Sequence, residues 1–211
     1  MALHNTYRYK NAITTELFIL LAARLAQHQT EPWLKAYYTD WSVKAWTWLN
    51  QSGMQNTAHL YNDGLDDNRN NNGGTAWSYN QGVILGALKE LYVLTDNIQY
   101  LQSAQQTAYA SMSALSNADT ILTEPCGRNF GEDAAEFKGP YIKYLSCLNT
   151  VLHDGTIKQF IIHNAAIVWA NDQNLQHLFD AVWAGPYQTG NAQSTGTVLD
   201  LMNAATIQMR Q

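Results

Sequence analysis

Apolar residues recur through this chain with a period close to that of an α-helix, and almost nowhere with the period of two that a half-buried strand requires. In residues 11–28 they fall at Ile13, Leu17, Leu20, Leu21 and Leu25, one face of an amphipathic helix. The same spacing returns over residues 33–51, 79–94, 98–115, 134–152, 156–170 and 192–209, which predicts seven helices and no confident strand. Pro32 stands at the start of the second run and Gly53 just past its end, the usual positions of a first-turn proline and a terminating glycine. From Tyr61 to Gly74 the chain is dense in Asn, Asp and Gly, so this stretch reads as a long loop. A weak repeat pairs Arg24-Leu25 and Trp33-Leu34 with Glu90-Leu91 and Tyr100-Leu101, about 66 residues on. Helical hairpins joined alternately by short turns and long polar loops predict an all-α chain, an α/α toroid whose inner and outer helices alternate. The helices that follow the long loops, starting near Asn11, Tyr79 and Phe137, are the expected inner ones, with their N-termini at a central cleft.

A chain of 211 residues is expected to form one domain, 1–211. Only 14% of its residues are charged, the net charge is -5 and no basic run occurs, which argues against a nucleic-acid partner. Its polar surface comes instead from 19 Asn and 16 Gln, beside 7 Trp and 12 Tyr. Neutral amides next to aromatic faces suit neutral polyols, so carbohydrate is the favoured ligand class. The longest apolar segment, residues 17–23, is far too short for a membrane span. The histidines at 4, 28, 59, 153, 163 and 177 show no metal-ligand spacing, and Cys126 and Cys147 have no His paired with them. No metal or cofactor is expected. The two cysteines either form a single disulfide or are free thiols.

The run Trp77-Ser78-Tyr79-Asn80-Gln81-Gly82, followed by Leu85-Gly86-Ala87-Leu88 and Glu90-Leu91-Tyr92, resembles glycoside hydrolase family 76, which contains endo-acting α-1,6-mannanases. Tyr9-Lys10-Asn11-Ala12-Ile13, Asn62-Asp63-Gly64-Leu65, Glu136-Phe137-Lys138-Gly139 and Asn164-Ala165-Ala166 match in the family's order. The resemblance implies a six-hairpin (α/α)6 toroid, of which about seven helices make an incomplete ring, equivalent to the family's C-terminal two-thirds. It also implies retaining hydrolysis of mannan by an adjacent Asp-Asp pair, which in the family precedes the Lys10-Asn11-Ala12-Ile13 helix. The expectation is therefore a glycosidase-like chain with cleft-lining substrate contacts and no catalytic pair of its own. The alternative is a non-catalytic carbohydrate-binding or assembly protein derived from that fold. A family member is expected to be secreted or at the cell surface, with a mannose-containing oligosaccharide or polysaccharide as its partner.

Substrate contact is assigned to Asn11, Asp63, Tyr79, Asn80, Gln81, Phe137 and Lys138, each weighed against a plainer role. Asp63 heads an Asp-Gly turn, Asn11 is placed to cap a helix, and Tyr79, Asn80 and Gln81 could serve capping and packing alone. Lys138 is either a solvated surface charge or a rim contact for sugar hydroxyls. Asp66-Asp67 is the only Asp-Asp pair here, and its Asn- and Gly-rich surroundings mark it as a solvated loop pair. Trp41, Trp46 and Trp48 are expected to pack between hairpins. An incomplete ring leaves flanks at Ile13, Leu17, Phe18 and Leu21 and at Val198, Leu201, Met202 and Ile207, so self-association or docking of a missing N-terminal segment is expected.

Overall fold

The computed structural model describes residues 9–131 and 133–211; His4 lies outside them. Seven α-helices form in it: α1 (Ala12–Gln27), α2 (Pro32–Gln51), α3 (Ser78–Thr95), α4 (Ile98–Ala114), α5 (Lys138–Leu152), α6 (Gly155–Asn171) and α7 (Ala192–Met209). Their termini carry the chemistry that stops and starts helices. Asn11 caps α1 by accepting from the Thr14 N–H at 3.1 Å, and Asp154 caps α6 by accepting from Thr156 and Ile157. Asn191 and Ser194 form a reciprocal capping box on α7. Asp96 and His153 close α3 and α5 in the left-handed region, at φ 56° and 52°. Each hairpin therefore reverses in two to four residues at one end.

Two expectations about local structure change. A two-residue antiparallel pair exists, β1 (Lys10–Asn11) with β2 (Gly64–Leu65). The fifth helical run is not continuous from 134, because a 3₁₀ turn, Ala134–Glu136, precedes α5. Pro140 sits in the first turn of α5, where its missing N–H has no helical partner to lose.

Helices α1, α3, α5 and α7 pack side by side as an inner rank, and α2, α4 and α6 lie outside them. This is an arc of an α/α toroid. Helix α3 is buried on nearly every face, with Ile84, Leu85, Leu88 and Leu91 fully enclosed. Each such side chain is worth about 1.5–3 kcal/mol of burial. Gly82 lets α3 approach α5, since a methyl there would fall on the Tyr141 backbone. Trp46 is buried as expected, whereas Trp41, edge-on to Phe18 of α1, and Trp48 both remain exposed. At the far flank Val198 and Leu201 are covered by the neighbouring inner and outer helices, leaving Ile207 exposed. At the near flank Leu17, Phe18 and Leu21 remain exposed. Cys126 and Cys147 are free thiols.

The three loops returning from outer to inner helices contain the same turn. Asn56 Oδ1 accepts from the N–H groups of Ala58 and Leu60, Asn117 Oδ1 from Asp119 and Ile121, and Asn174 Oδ1 from Gln176 and Leu178. A positive-φ residue follows each Asn by three, at His59, Thr120 and His177, and the ends meet as bridges Gln55↔Tyr61, Ser116↔Leu122 and Gln173↔Phe179. Asp66 makes a fourth copy: its Oδ1 accepts from Asn68 and Asn70, Arg69 has φ 67°, and Leu65 bridges Asn71. Thr120 is the one β-branched residue among these left-handed positions, at φ 65°, where Cβ crowds the backbone. Replacing it with Asn, which tolerates that region, is expected to stabilise the protein by about 1 kcal/mol, or roughly 2–4 °C in Tm. A fall in Tm on thermal unfolding would show that the Thr120 methyl makes a compensating contact.

Candidate functional site

The repeated turn delivers one residue to the start of each of three inner helices, α1, α3 and α5. Seven positions after Asn56, Asn117 and Asn174 come Asp63, Glu124 and Ala181. The Asp63 carbonyl accepts from the N–H of Ala12, the first residue of α1, at 2.9 Å. The Glu124 carboxylate accepts from both the N–H (3.3 Å) and the hydroxyl of Ser78, the first residue of α3. The Ala181 carbonyl accepts from the ammonium of Lys138, the first residue of α5, at 2.5 Å. Each loop thereby satisfies a donor at the N-terminus of its own inner helix, where unpaired N–H groups concentrate.

Beside these N-termini lies a groove of about 310 Å³, lined by Ile13 and Leu17 of α1, Tyr79 and Val83 of α3, Phe137 and Tyr144, and Asp200 of α7. Tyr79 and Phe137 form its aromatic wall, with ring centroids 4.3 Å apart, and Trp77 meets Phe137 edge-on at 5.4 Å. Toward α1, the Tyr9 hydroxyl donates to Asp63 and accepts from Asn72 Nδ2 at 3.1 Å. Burial, followed by the charges of Asp63 and Glu16, pushes the Tyr79 phenol up to about 12. It stays protonated and is a hydrogen-bond donor at any physiological pH.

The residues singled out from sequence divide into two groups. Asp63, Tyr79 and Phe137 are half-buried around the aromatic wall and its acidic neighbour. Asn11 caps α1 and pairs with Gly64. Gln81 is buried and clamps the loop, accepting from the Tyr61 N–H and donating to the Tyr61 and Trp77 carbonyls. Asn80 is also buried, its amide unpaired among the described residues. Lys138 is no surface charge: it is 1% exposed, bonded to Ala181 and held 4.5 Å over the Trp183 ring. Tyr9, Asn72, Ser78, Glu124 and Asp200 belong to the same neighbourhood and had no role in the sequence assignment. The recurring Asn followed seven residues later by an acid, at 56 and 117, is the signal that could have found Glu124.

Three acids are buried here or just behind. Desolvation pushes Glu124 up to about 7 against the lowering pull of Ser78 and Lys138, raises Asp172 to about 7, and lifts Glu16, fully enclosed in α1, well above 4.5. An acid held protonated in the fold but ionised when unfolded stabilises the fold fully below its unfolded value, and that stability is lost as pH rises to the folded value. The window runs from 4.5 to about 7 for Glu124 and from 3.8 to about 7 for Asp172. Lys138, lowered to about 8 by burial, recovers stability only above that pH. Thermal unfolding is therefore expected to give a higher Tm at pH 5 than at pH 7.5, and a flat or rising profile would contradict the burial of these acids.

The sequence profile described as Glycosyl hydrolase family 76 matches residues 1–211. Mannan endo-1,6-alpha-mannosidase DCW1 of Eremothecium gossypii is 28% identical over 147 residues, which are 66% of this chain and 32% of that protein. The chain thus spans about a third of the length of the curated relatives it matches. Among solved structures, an inactive variant of the α-1,6-mannanase GH76A from a Salegentibacter species, in complex with α-1,6-mannotriose, has a TM-score of 0.82 at 21% identity. That match covers 97% of this chain and 61% of the other. Dfg5 from Chaetomium thermophilum in complex with glucosamine has a TM-score of 0.85 at 17% identity, covering 99% and 54%. These structures share the toroid of which the seven helices form an arc, and the match along the whole sequence establishes that the chain belongs to glycosyl hydrolase family 76.

Proposed function

We propose that this chain forms the substrate-binding wall of a glycoside hydrolase cleft that takes α-1,6-linked mannan or a related mannose polysaccharide. The observation that carries this reading is the Tyr79–Phe137 wall set beside the Tyr9–Asp63 pair at the N-terminal ends of the inner helices. A pyranose offers an apolar face of C–H groups to an aromatic ring and a rim of hydroxyls to acceptors and donors. Here Asp63 is the acceptor, the Tyr79 phenol the donor, and Asp200 a second carboxylate across the groove. Asn11, Asn80, Gln81 and Lys138 serve as the frame behind these contacts. Cleavage of a glycoside requires two carboxyls at a fixed separation across the scissile bond. Asp66-Asp67 is assigned no part in that, because both are exposed and Asp66 Oδ1 is committed to its turn.

NMR titration with α-1,6-mannotriose is expected to perturb Asp63, Tyr79 and Phe137 together, at an affinity of about millimolar. Tyr79→Ala should weaken binding roughly tenfold. Shifts confined to the outer helices, for example around Trp46, would remove the site. Asp66→Asn recreates the residue found in the other three turns, so it should leave stability and any mannan hydrolysis unchanged; lost hydrolysis would reassign the pair to catalysis.

The near flank bears on assembly. Phe18, Leu21, Ala22, Leu25, Tyr37 and Trp41 line an apolar groove of about 350 Å³ between α1 and α2, and Leu17 and Trp33 extend the exposed surface. Patches of this kind are rarely left in water, and we infer that this face drives self-association. Sedimentation at micromolar concentration should show dimers or larger species that Leu21→Glu shifts toward monomer. A monomer that binds no apolar dye would overturn this.

A further inference from the structure

Behind the aromatic wall, two ionisable groups are enclosed between the rim loops and the helix ends. Glu124 is 3% exposed and Lys138 1% exposed. Neither is an ordinary place for a charge, and a buried ion whose partner is missing is strongly destabilising. Glu124 holds Ser78 by its N–H and hydroxyl, and Tyr79 is the next residue. Lys138 holds the Ala181 carbonyl and lies against the faces of Trp183 and Phe130, and Phe137 is the residue before it. No hydrogen bond or ion pair within 4 Å joins the two groups among the described residues; each is fastened separately. Glu124 thus holds the residue that adjoins the Tyr79 ring, and Lys138 is itself the residue that adjoins the Phe137 ring.

We propose that Glu124 and Lys138 are positioning residues: Glu124 fixes the N-terminus of α3 through Ser78, Lys138 fixes that of α5 through Ala181, and the two anchors together set the Tyr79–Phe137 geometry on which a sugar ring rests. The pair touches no ligand and acts only through the rings. The sugar half of this statement rests on the mannan reading above, whereas the ring geometry does not. Ionised Glu124 places negative charge at the positive end of α3, where it favours the helix and the Ser78 contacts. Protonation removes that acceptor strength.

The neighbours that bear on the titration are few. Glu124 faces Lys138 and Tyr141 of α5, Tyr79 of α3, and Cys126 on its own loop. Lys138 faces Glu124, Cys126, and Asp172 and Asp180 of the loop after α6. The Glu124 carboxyl, raised to about 7 by burial, changes state in the range where this can be observed. Asp172, also near 7, is the group that must be separated from it.

The test uses the whole chain with ¹³C-labelled aromatic rings, followed by NMR from pH 5.5 to 8.5, together with the affinity for α-1,6-mannotriose at both ends of that range. In the wild type the ring signals of Tyr79 and Phe137 should titrate with a midpoint near 7, and the affinity should fall about tenfold from the high to the low end. Glu124→Gln should abolish the ring titration and bind at the weaker level at both pH values. Asp172→Asn should keep the titration. Ser78→Ala, which retains the charge and removes one contact that lowers the Glu124 value, should move the midpoint upward; it decides the matter should Glu124→Gln fail to fold. Ring signals that ignore pH in the wild type, or that titrate unchanged in Glu124→Gln or in Ser78→Ala, would overturn the proposal. Were mannotriose not to bind at any pH, the mannan reading would fall and the ring titration alone would still decide between a positioning pair and a purely structural one.

Discussion

Three of the four inner helices, α1, α3 and α5, are anchored at their first residue by the loop returning from their own outer partner. The constraint is elementary: the first turn of a helix has N–H groups with no intrahelical acceptor, and an inner helix cannot offer all of them to water. Asp63 and Glu124 meet it, by a carbonyl on a backbone N–H and by a carboxylate on an N–H and a hydroxyl, whereas Ala181 holds the first residue of α5 through its side chain, a carbonyl on an ammonium. The chemistry varies while the position does not, because the turn seven residues earlier sets the position. An Asn side chain spans that turn by replacing the backbone acceptors a tight loop would lack. The next element along then fastens the far side of the loop. Gln81 of α3 grips Tyr61, Ser194 and Thr195 of α7 grip Phe179, and Asn164 of α6 grips Leu122. Rim loops that would otherwise be free are thus bonded at both ends, and a groove they border keeps its shape.

A helix advances about 100° per residue, and this separates adjacent residues at the mouth of the groove into different jobs. Tyr79 faces the groove and Asn80, one step on, faces protein. Phe137 faces the groove and Lys138, one step on, is buried against Ala181 and Trp183. A polar residue next to an aromatic at a helix start therefore contacts the frame more readily than the ligand. This is the reason that Asn80 and Lys138 lie behind the wall, whereas Tyr79 and Phe137 lie in it.

Helical period carried the fold. All seven helices lie where apolar spacing predicts them, with ends within a few residues, because amphipathic faces and caps such as Asn11 and Asp154 are local signals. The inner and outer assignment was also legible, since it follows from which loops are long. What sequence could not supply was anything set by contacts between distant segments. The β1–β2 pair has two residues a side and no periodicity to detect. The burial of Lys138 depends on Trp183 and Ala181, some 43 residues away. Trp41 and Trp48 carry the same aromatic signal as Trp46, and only packing distinguishes the one that is covered. Glu124 was passed over for a different reason: it precedes Pro125 in a segment with no helical or motif signal, and it becomes visible only when three loops are aligned on Asn56, Asn117 and Asn174.

The same alignment gives Asp66, the first residue of the Asp-Asp pair, a place in a turn. Asp66 occupies the place of those asparagines, and Asp shares with Asn the short side chain whose oxygen accepts from the backbone two and four residues on. What differs is the extra charge, which stands at the one position of the four that is exposed, since Asn56, Asn117 and Asn174 are half-buried. Asp thus stands at the exposed copy and Asn at the three half-buried ones, and depth also separates Asp63, half-buried beside Tyr9, from Glu124, sealed over Ser78. In this fold the depth of a loop position, more than the identity of the acid, decides whether a carboxylate is available for chemistry.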